Sequence, residues 1–354
     1  MIELRSDTFT LPTQEMLDAM PKAALGDDVY GEDPTVKRLE ALAARLLGKE
    51  AAILMPSGTM ANLASLMAHC PRGTKVLVGD ETDIYIYEAG GASVCGGLMY
   101  EPIRTQPDGR LLIEDLEKAF PDEMDDPQFA LPSLICLENP HNRMGGKVLP
   151  LSYLQEVRDF ADRKGLPVHM DGARIFNAAV AMDLPPSQIA QYADSIQFCM
   201  SKGLSAPIGS LVVGSKAFVE KVYRLRKMLG GGMRQAGIIA SAGIIALEQV
   251  VPRLADDHAN AKRLAEGLAA IPGIETDPSE VETNILFFRV TDERFTWQTF
   301  VESCKAQGLN IAELGHGRIR AVTHTGVTAE QIEEAIKIVQ HVMQHGPNPS
   351  VVTA

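Results

Sequence analysis

Lys202 and Asp171 are the residues whose type and position best suit covalent chemistry. Ser201-Lys202-Gly203 follows the apolar run 195–200, so Lys202 falls just past a strand's carboxyl end, with small neighbours. An amine placed there can form an imine with the carbonyl of a bound cofactor. Another apolar strand leads into His169-Met-Asp171-Gly-Ala-Arg174, 31 residues before the lysine. A carboxylate at that point can pair with a protonated ring nitrogen, because open α/β sheets bind ligands at strand carboxyl ends. Taken alone, Lys202 also reads as a surface charge, and Asp171 as a helix cap or loop carboxylate.

Two further motifs handle anions. Pro56-Ser57-Gly58-Thr59 lies between an apolar run and a helix. Glycine and a hydroxyl at a helix start offer free N–H groups, a favourable dipole and a side-chain donor to a phosphate. A plain N-cap fits the same residues. Gly230-Gly-Gly-Met-Arg234-Gln-Ala-Gly237 could let backbone approach a ligand, with Arg234 as its cation, or serve as a turn between helices. Neither this run nor Gly315-His-Gly317 completes the G-x-G-x-x-G of a dinucleotide fold. That weakens the rival reading of a nucleotide-dependent oxidoreductase or simple binding module.

Short apolar strands alternating with helices must position these residues. Strands are predicted at 51–55, 75–79, 133–137, 167–170, 195–200 and 210–214, and helices at 35–48, 59–69 and 150–164. This alternation predicts an α/β layer with a mostly parallel sheet. The pattern changes near residue 250: a long amphipathic helix at 251–271, a strand at 284–290, a helix at 296–307, a strand at 317–323 and a helix at 328–344. The expected organisation is a large domain over 1–250 with an N-terminal arm, a smaller α+β domain over 251–346, and a loose tail over 347–354.

Formal charge is −13, from 33 basic and 46 acidic residues. Such a surface argues against nucleic acid or an anionic membrane as partner. No membrane helix or signal peptide is expected. The five cysteines lack a CxxC pair and read as reduced core thiols of a cytoplasmic protein. His258, His341 and His345 read as surface residues, His169 as a packed strand-end residue, and metal catalysis is not expected.

A phosphate loop, then a strand-end Asp, then a strand-end Lys is the order found in fold-type I pyridoxal-phosphate enzymes. The chain closely resembles the low-specificity L-threonine aldolases of the aromatic amino acid β-eliminating lyase group. The resemblance rests on LRSDTFT (4–10), GDDVYGEDPT (26–35), PSGTMAN (56–62), YEAGG (87–91), ENPHN (138–142), HMDGARIFNA (169–178), SKGLSAPIGS (201–210), GGGMRQAG (230–237) and RAVTH (320–324). It implies a pyridoxal 5'-phosphate cofactor joined to Lys202, its ring nitrogen on Asp171 and its phosphate on Gly58 and Thr59. Arg234 is expected to reach a phosphate across a subunit interface. Ser6, Arg174 and Arg320 are expected around the carboxylate of an amino-acid substrate, where a guanidinium makes two parallel bonds. Tyr30 is expected to line a neighbouring site, and His141 to lie near the substrate β-hydroxyl. The implied reaction is retro-aldol cleavage of threonine, allo-threonine or a related β-hydroxy-α-amino acid to glycine and an aldehyde. The implied assembly is a homotetramer built as a dimer of dimers.

One position departs from that pattern. Asp83 stands where the family usually carries a histidine expected to stack on the cofactor. A carboxylate cannot stack, and its charge opposes electron flow into the ring. Three readings follow: an aldolase in which His141, alone or with a water, does the base work; a scaffold moved to β-elimination, racemisation or aldol cleavage of an unusual β-hydroxy amino acid; or a cofactor-binding protein with little catalysis. Pro140 is a milder departure, where threonine is common.

Overall fold

In a computed structural model, residues 1–348 are described. Seven strands form the main sheet in the order β2-β8-β7-β6-β5-β3-β4. They are β2 (Ala51–Met55), β3 (Lys75–Gly79), β4 (Met99–Ile103), β5 (Pro132–Glu138), β6 (Val168–Asp171), β7 (Ser195–Cys199) and β8 (Ser210–Gly214). Only β8 runs against its neighbours β2 and β7; the other pairings are parallel. The strands read as unbroken apolar runs because both faces of the sheet are covered. Leu54, Leu211 and Val213 join the core on one face, and Ile53, Met55 and Val212 the core on the other.

Local signals fix the flanking helices. Asp33 caps Pro34–Leu47 by accepting from the N–H groups of Thr35 and Val36, both at 3.0 Å, and Gly48 ends it at φ +65°. The helix Gly58–His69 is capped by Ser57, which accepts from Met60 N–H at 3.2 Å.

A second sheet, β12-β13-β10-β9, comprises β9 (Ile274–Glu275), β10 (Ile285–Val290), β12 (Ala312–Glu313) and β13 (Ile319–Val322). The helices Leu254–Ala269 and Ala329–His345 share its core. The N-terminus belongs here too: β1 (Ile2–Glu3) pairs with β11 (Leu309–Asn310), and Ile2 and Leu4 are buried among these residues.

Four sequence expectations change. Met99–Ile103 is an edge strand that periodicity misses; its Glu101 and Pro102 are tolerated because an edge needs fewer ladder bonds. The helix predicted at 251–271 is the end of a longer helical run, Gly237–Ala269, which by length and composition is apolar enough to cross a membrane. Half of its most apolar window is buried within the protein, and residues 237–245 pack on Pro34–Leu47. His258 is half-buried against Asn177 at 3.2 Å, and Cys95 is exposed rather than in the core. Most of the expected tail, 349–354, lies outside the described residues.

Candidate active site

The parallel strands deliver the chemistry from their carboxyl ends. Asp171 ends β6, Glu138 ends β5, Lys202 follows β7, and Gly58 follows β2. Asp83 follows β3 at the start of a short helix, Asp83–Ile86. Arg320 enters from the second sheet on β13.

Asp171 is buried and accepts three bonds. Gln197 Nε2 lies 2.5 Å and the Ala173 N–H 3.0 Å from Oδ1, while Asn62 Nδ2 lies 2.9 Å from Oδ2. Oδ2 therefore keeps a lone pair for one more donor. Burial pushes the Asp171 pKa up, with Asp83 adding to it, while Lys202, Asn62 and Gln197 pull it down. Burial works against the Lys202 charge, but Cys199, Asp83 and Asp171 leave its pKa raised overall. Among the described residues its amine forms no ion pair within 4.0 Å.

Gly58 and Thr59 open their helix, so their N–H groups have no intrahelical acceptor. A Cβ at position 58 would lie 2.9 Å from Cys199 Sγ, so glycine lets the helix start pack closely on β7.

Arg174 forms a buried fork with Asp7: Nε to Oδ2 at 2.8 Å and Nη2 to Oδ1 at 2.7 Å. Asn284 also donates to Asp7 Oδ2, at 3.2 Å. This qualifies the expectation for Arg174, whose fork is already taken by a protein carboxylate. Ser6 is buried beside it, and its Oγ accepts from the Thr8 N–H at 3.2 Å.

Arg320 differs. Its Nη1 donates to Asn142 Oδ1 at 2.7 Å and its Nη2 to the Arg5 carbonyl at 2.9 Å; its buried Nε has no partner. Burial and then Arg174 lower its pKa to about 10. It remains a cation at neutral pH, with no carboxylate within 4.0 Å among the described residues.

Asn142 also donates to Asp83 Oδ1, at 3.0 Å. Asp83 influences the titration of Asp171, Arg174, Lys202 and Arg320 alike, which places its carboxylate among them. Glu138 fixes this corner: it accepts the Asp83 N–H at 2.7 Å and the Asn142 N–H at 2.8 Å. His141 is only 1% exposed; neither ring nitrogen is hydrogen-bonded, and Nδ1 lies 3.7 Å from Glu138 Oε1. Burial lowers its pKa to about 4, so the ring is neutral.

Two expected site residues lie elsewhere on the chain. Tyr30 is 74% exposed, and the Arg234 side chain is 54% exposed. Arg234 pairs with Asp27 at 2.8 Å and lies 5.9 Å from the Tyr30 ring. Asp33 holds their two segments together, accepting from the N–H groups of Gly26 at 3.1 Å and Gly237 at 2.9 Å.

Residues 3–291 match the sequence profile of the beta-eliminating lyase family. The low-specificity L-threonine aldolase 1 of Arabidopsis thaliana is 42% identical over 99% of this chain and 98% of its own. The low specificity L-threonine aldolase of Escherichia coli (strain K12) is 47% identical over 94% and 97%. The chain belongs to the low-specificity L-threonine aldolase family of β-eliminating lyases. Its fold is that of fold-type I enzymes of this family. The threonine aldolase structure from Leishmania major superposes with a TM-score of 0.81 at 20% identity, covering 97% of this chain and 100% of that one. A putative L-allo-threonine aldolase from Listeria monocytogenes EGD-E gives 0.77 at 19% identity, over 92% and 93%.

The family's motif blocks contain residues to which sequence reasoning gave no role: Asp7, Asn62, Glu88 and Asn142. Gln197 offered a signal of its own. It is a polar residue midway along an apolar strand, and a buried polar group requires a partner.

Proposed function

We propose that this protein cleaves β-hydroxy-α-amino acids, threonine and allo-threonine among them, to glycine and an aldehyde, with pyridoxal 5'-phosphate as cofactor. The observation that carries the reading is the convergence of Lys202, Asp171 and the uncompensated Arg320 at the strand ends. The donor set fits the cofactor: an amine without an ion partner among the described residues, a buried carboxylate with a lone pair to spare, and a helix start whose first N–H groups have no intrahelical acceptor. Lys202 would hold its aldehyde carbon, Asp171 its ring nitrogen, and Gly58 and Thr59 its phosphate. Bound there, the cofactor supplies a sink for the electron pair released when a bond to Cα breaks.

The remaining work falls to the chain. Arg320, with Ser6 nearby, takes the substrate carboxylate; Arg174 supports the site through Asp7. Asp83, oriented by Asn142 and Glu138, accepts the β-hydroxyl proton as the Cα–Cβ bond breaks and a carbonyl forms. A proton returned to Cα leaves glycine. His141, sealed and neutral, lies against Glu138.

The test is release of aldehyde and glycine in equal amounts from threonine and allo-threonine, abolished by Lys202→Ala. Loaded protein that releases neither overturns the reading. The charge on Asp83 favours one second reading, β-elimination or racemisation; ammonia release or loss of optical activity without aldehyde would establish it.

The exposure of Tyr30 and Arg234 supports a homotetramer, a dimer of dimers in which these residues complete a neighbouring subunit's site. Light scattering tests it. The absence of disulfides among the described cysteines supports a cytoplasmic setting.

A further inference from the structure

Behind Asp171 runs a file of buried polar side chains that the reaction above does not use. His169 lies two residues earlier on β6 and is fully buried. Its Nε2 is 3.0 Å from Asn62 Oδ1, and its Nδ1 is 2.8 Å from Ser195 Oγ on β7. Ser195 Oγ is also 2.7 Å from His69 Nε2. His69 ends the helix that begins at Gly58, and its ring stacks on Phe218 at 4.4 Å. At the other end, the Asn62 amide nitrogen donates to Asp171 at 2.9 Å and to Glu88 at 2.8 Å.

Donor and acceptor rules give this file one direction. An ionised carboxylate only accepts, so the Asn62 NH2 faces Asp171 and its oxygen faces His169. That oxygen needs a donor, so His169 carries its proton on Nε2. Its bare Nδ1 then accepts the Ser195 hydroxyl proton. The Ser195 oxygen, having donated, accepts from His69 Nε2–H. Each donor points towards Asp171, and bonds aligned in one direction polarise one another. Burial keeps both rings neutral, with pKa values lowered to about 3 for His169 and about 4 for His69. The order of the file therefore survives across the working pH range.

We propose that His69, Ser195, His169 and Asn62 form a directed hydrogen-bond relay that holds Asp171 ionised and thereby sets how firmly it keeps the cofactor ring nitrogen protonated. They are positioning residues, since none touches the substrate. The proposal rests on the cofactor reading above and deepens it.

The test uses full-length protein stripped of cofactor and reloaded with pyridoxal phosphate. Ser195→Ala cuts the relay with the loss of one oxygen, Ser195→Thr restores the hydroxyl, and His169→Phe removes the central link. Losing one net hydrogen bond should weaken cofactor binding about fivefold and move the pH midpoint of its visible absorbance by roughly half a unit. Ser195→Ala should lower kcat with KM unchanged, and Ser195→Thr should behave as wild type. A merely structural role would lower thermal stability without moving the absorbance midpoint. If Ser195→Ala and His169→Phe load cofactor with unchanged affinity and midpoint, the relay is overturned and the cofactor reading stands. If wild-type protein takes up no pyridoxal phosphate, both fall together.

Discussion

Asp7 and Arg174 form a two-bond fork, at 2.8 and 2.7 Å, across 167 residues of sequence and away from solvent. Breaking a buried pair from one side leaves a charge without its partner. Asp7→Asn is therefore expected to cost about 3 kcal/mol of stability, measured by urea unfolding at neutral pH. The pair also gives an acid limb. Burial opposes the Asp7 charge, and Arg174 more than offsets it, so its folded pKa lies well below the ordinary 3.8. Stability from the pair is complete above that value and drains away as pH falls towards the folded pKa. Asp7→Asn should flatten this acid limb.

Asp83 is the proton acceptor in the proposed reaction, so Asp83→Asn should lower kcat about 100-fold or more. Asn142 can still orient the amide, which keeps the geometry close. An imidazole titrates nearer working pH than a carboxylate. Asp83→His should consequently cleave threonine faster than wild type. Steady-state aldehyde release checks both, and a His variant no faster than wild type would refute the account of this substitution.

In the proposed reaction the buried guanidinium of Arg320, with no carboxylate within 4.0 Å among the described residues, takes the substrate carboxylate. Lysine keeps the charge but lacks the planar fork. Arg320→Lys should raise KM about tenfold with a smaller change in kcat, as expected when one charge-assisted bond is lost. Unchanged KM would place the substrate carboxylate elsewhere.

Glu88 shares the Asn62 amide with Asp171. Burial, then the Asp171 charge, raises its pKa to about 8 from an ordinary 4.5. It holds its proton when folded and releases it when unfolded across that interval. Its contribution to stability is therefore lost as pH rises from about 4.5 to about 8. Glu88→Gln cannot lose a proton, so its stability relative to wild type should climb through the same interval. Denaturant unfolding at both ends of the interval tests the sign.

The sheet was legible in the sequence because each central strand is a short apolar run between breakers, and two covered faces demand that pattern. Met99–Ile103 was not, since an edge strand carries little of it. Lys202, Asp171 and Gly58 could be placed because strand ends announce themselves along the chain. The partners of those residues could not. Nothing local to Arg174 reveals that Asp7 occupies its fork, and nothing local to His141 reveals that the fold closes over it. Arg320 meets Asn142 only because two sheets are brought together. Such contacts depend on packing between distant segments, which periodicity does not encode.

The pairing of β1 with β11 sets an order of events during synthesis. Residues 2–4 leave the ribosome first, yet their partners at 308–310 emerge only when the chain is nearly finished. Until then Asp7 has no anchored route to Arg174. The site is thus one of the last parts of the molecule to assemble, although its earliest residue is among the first made. A chain cut short before residue 308 would keep Lys202 and Asp171 but lack both the strand that seats Asp7 and the one that carries Arg320.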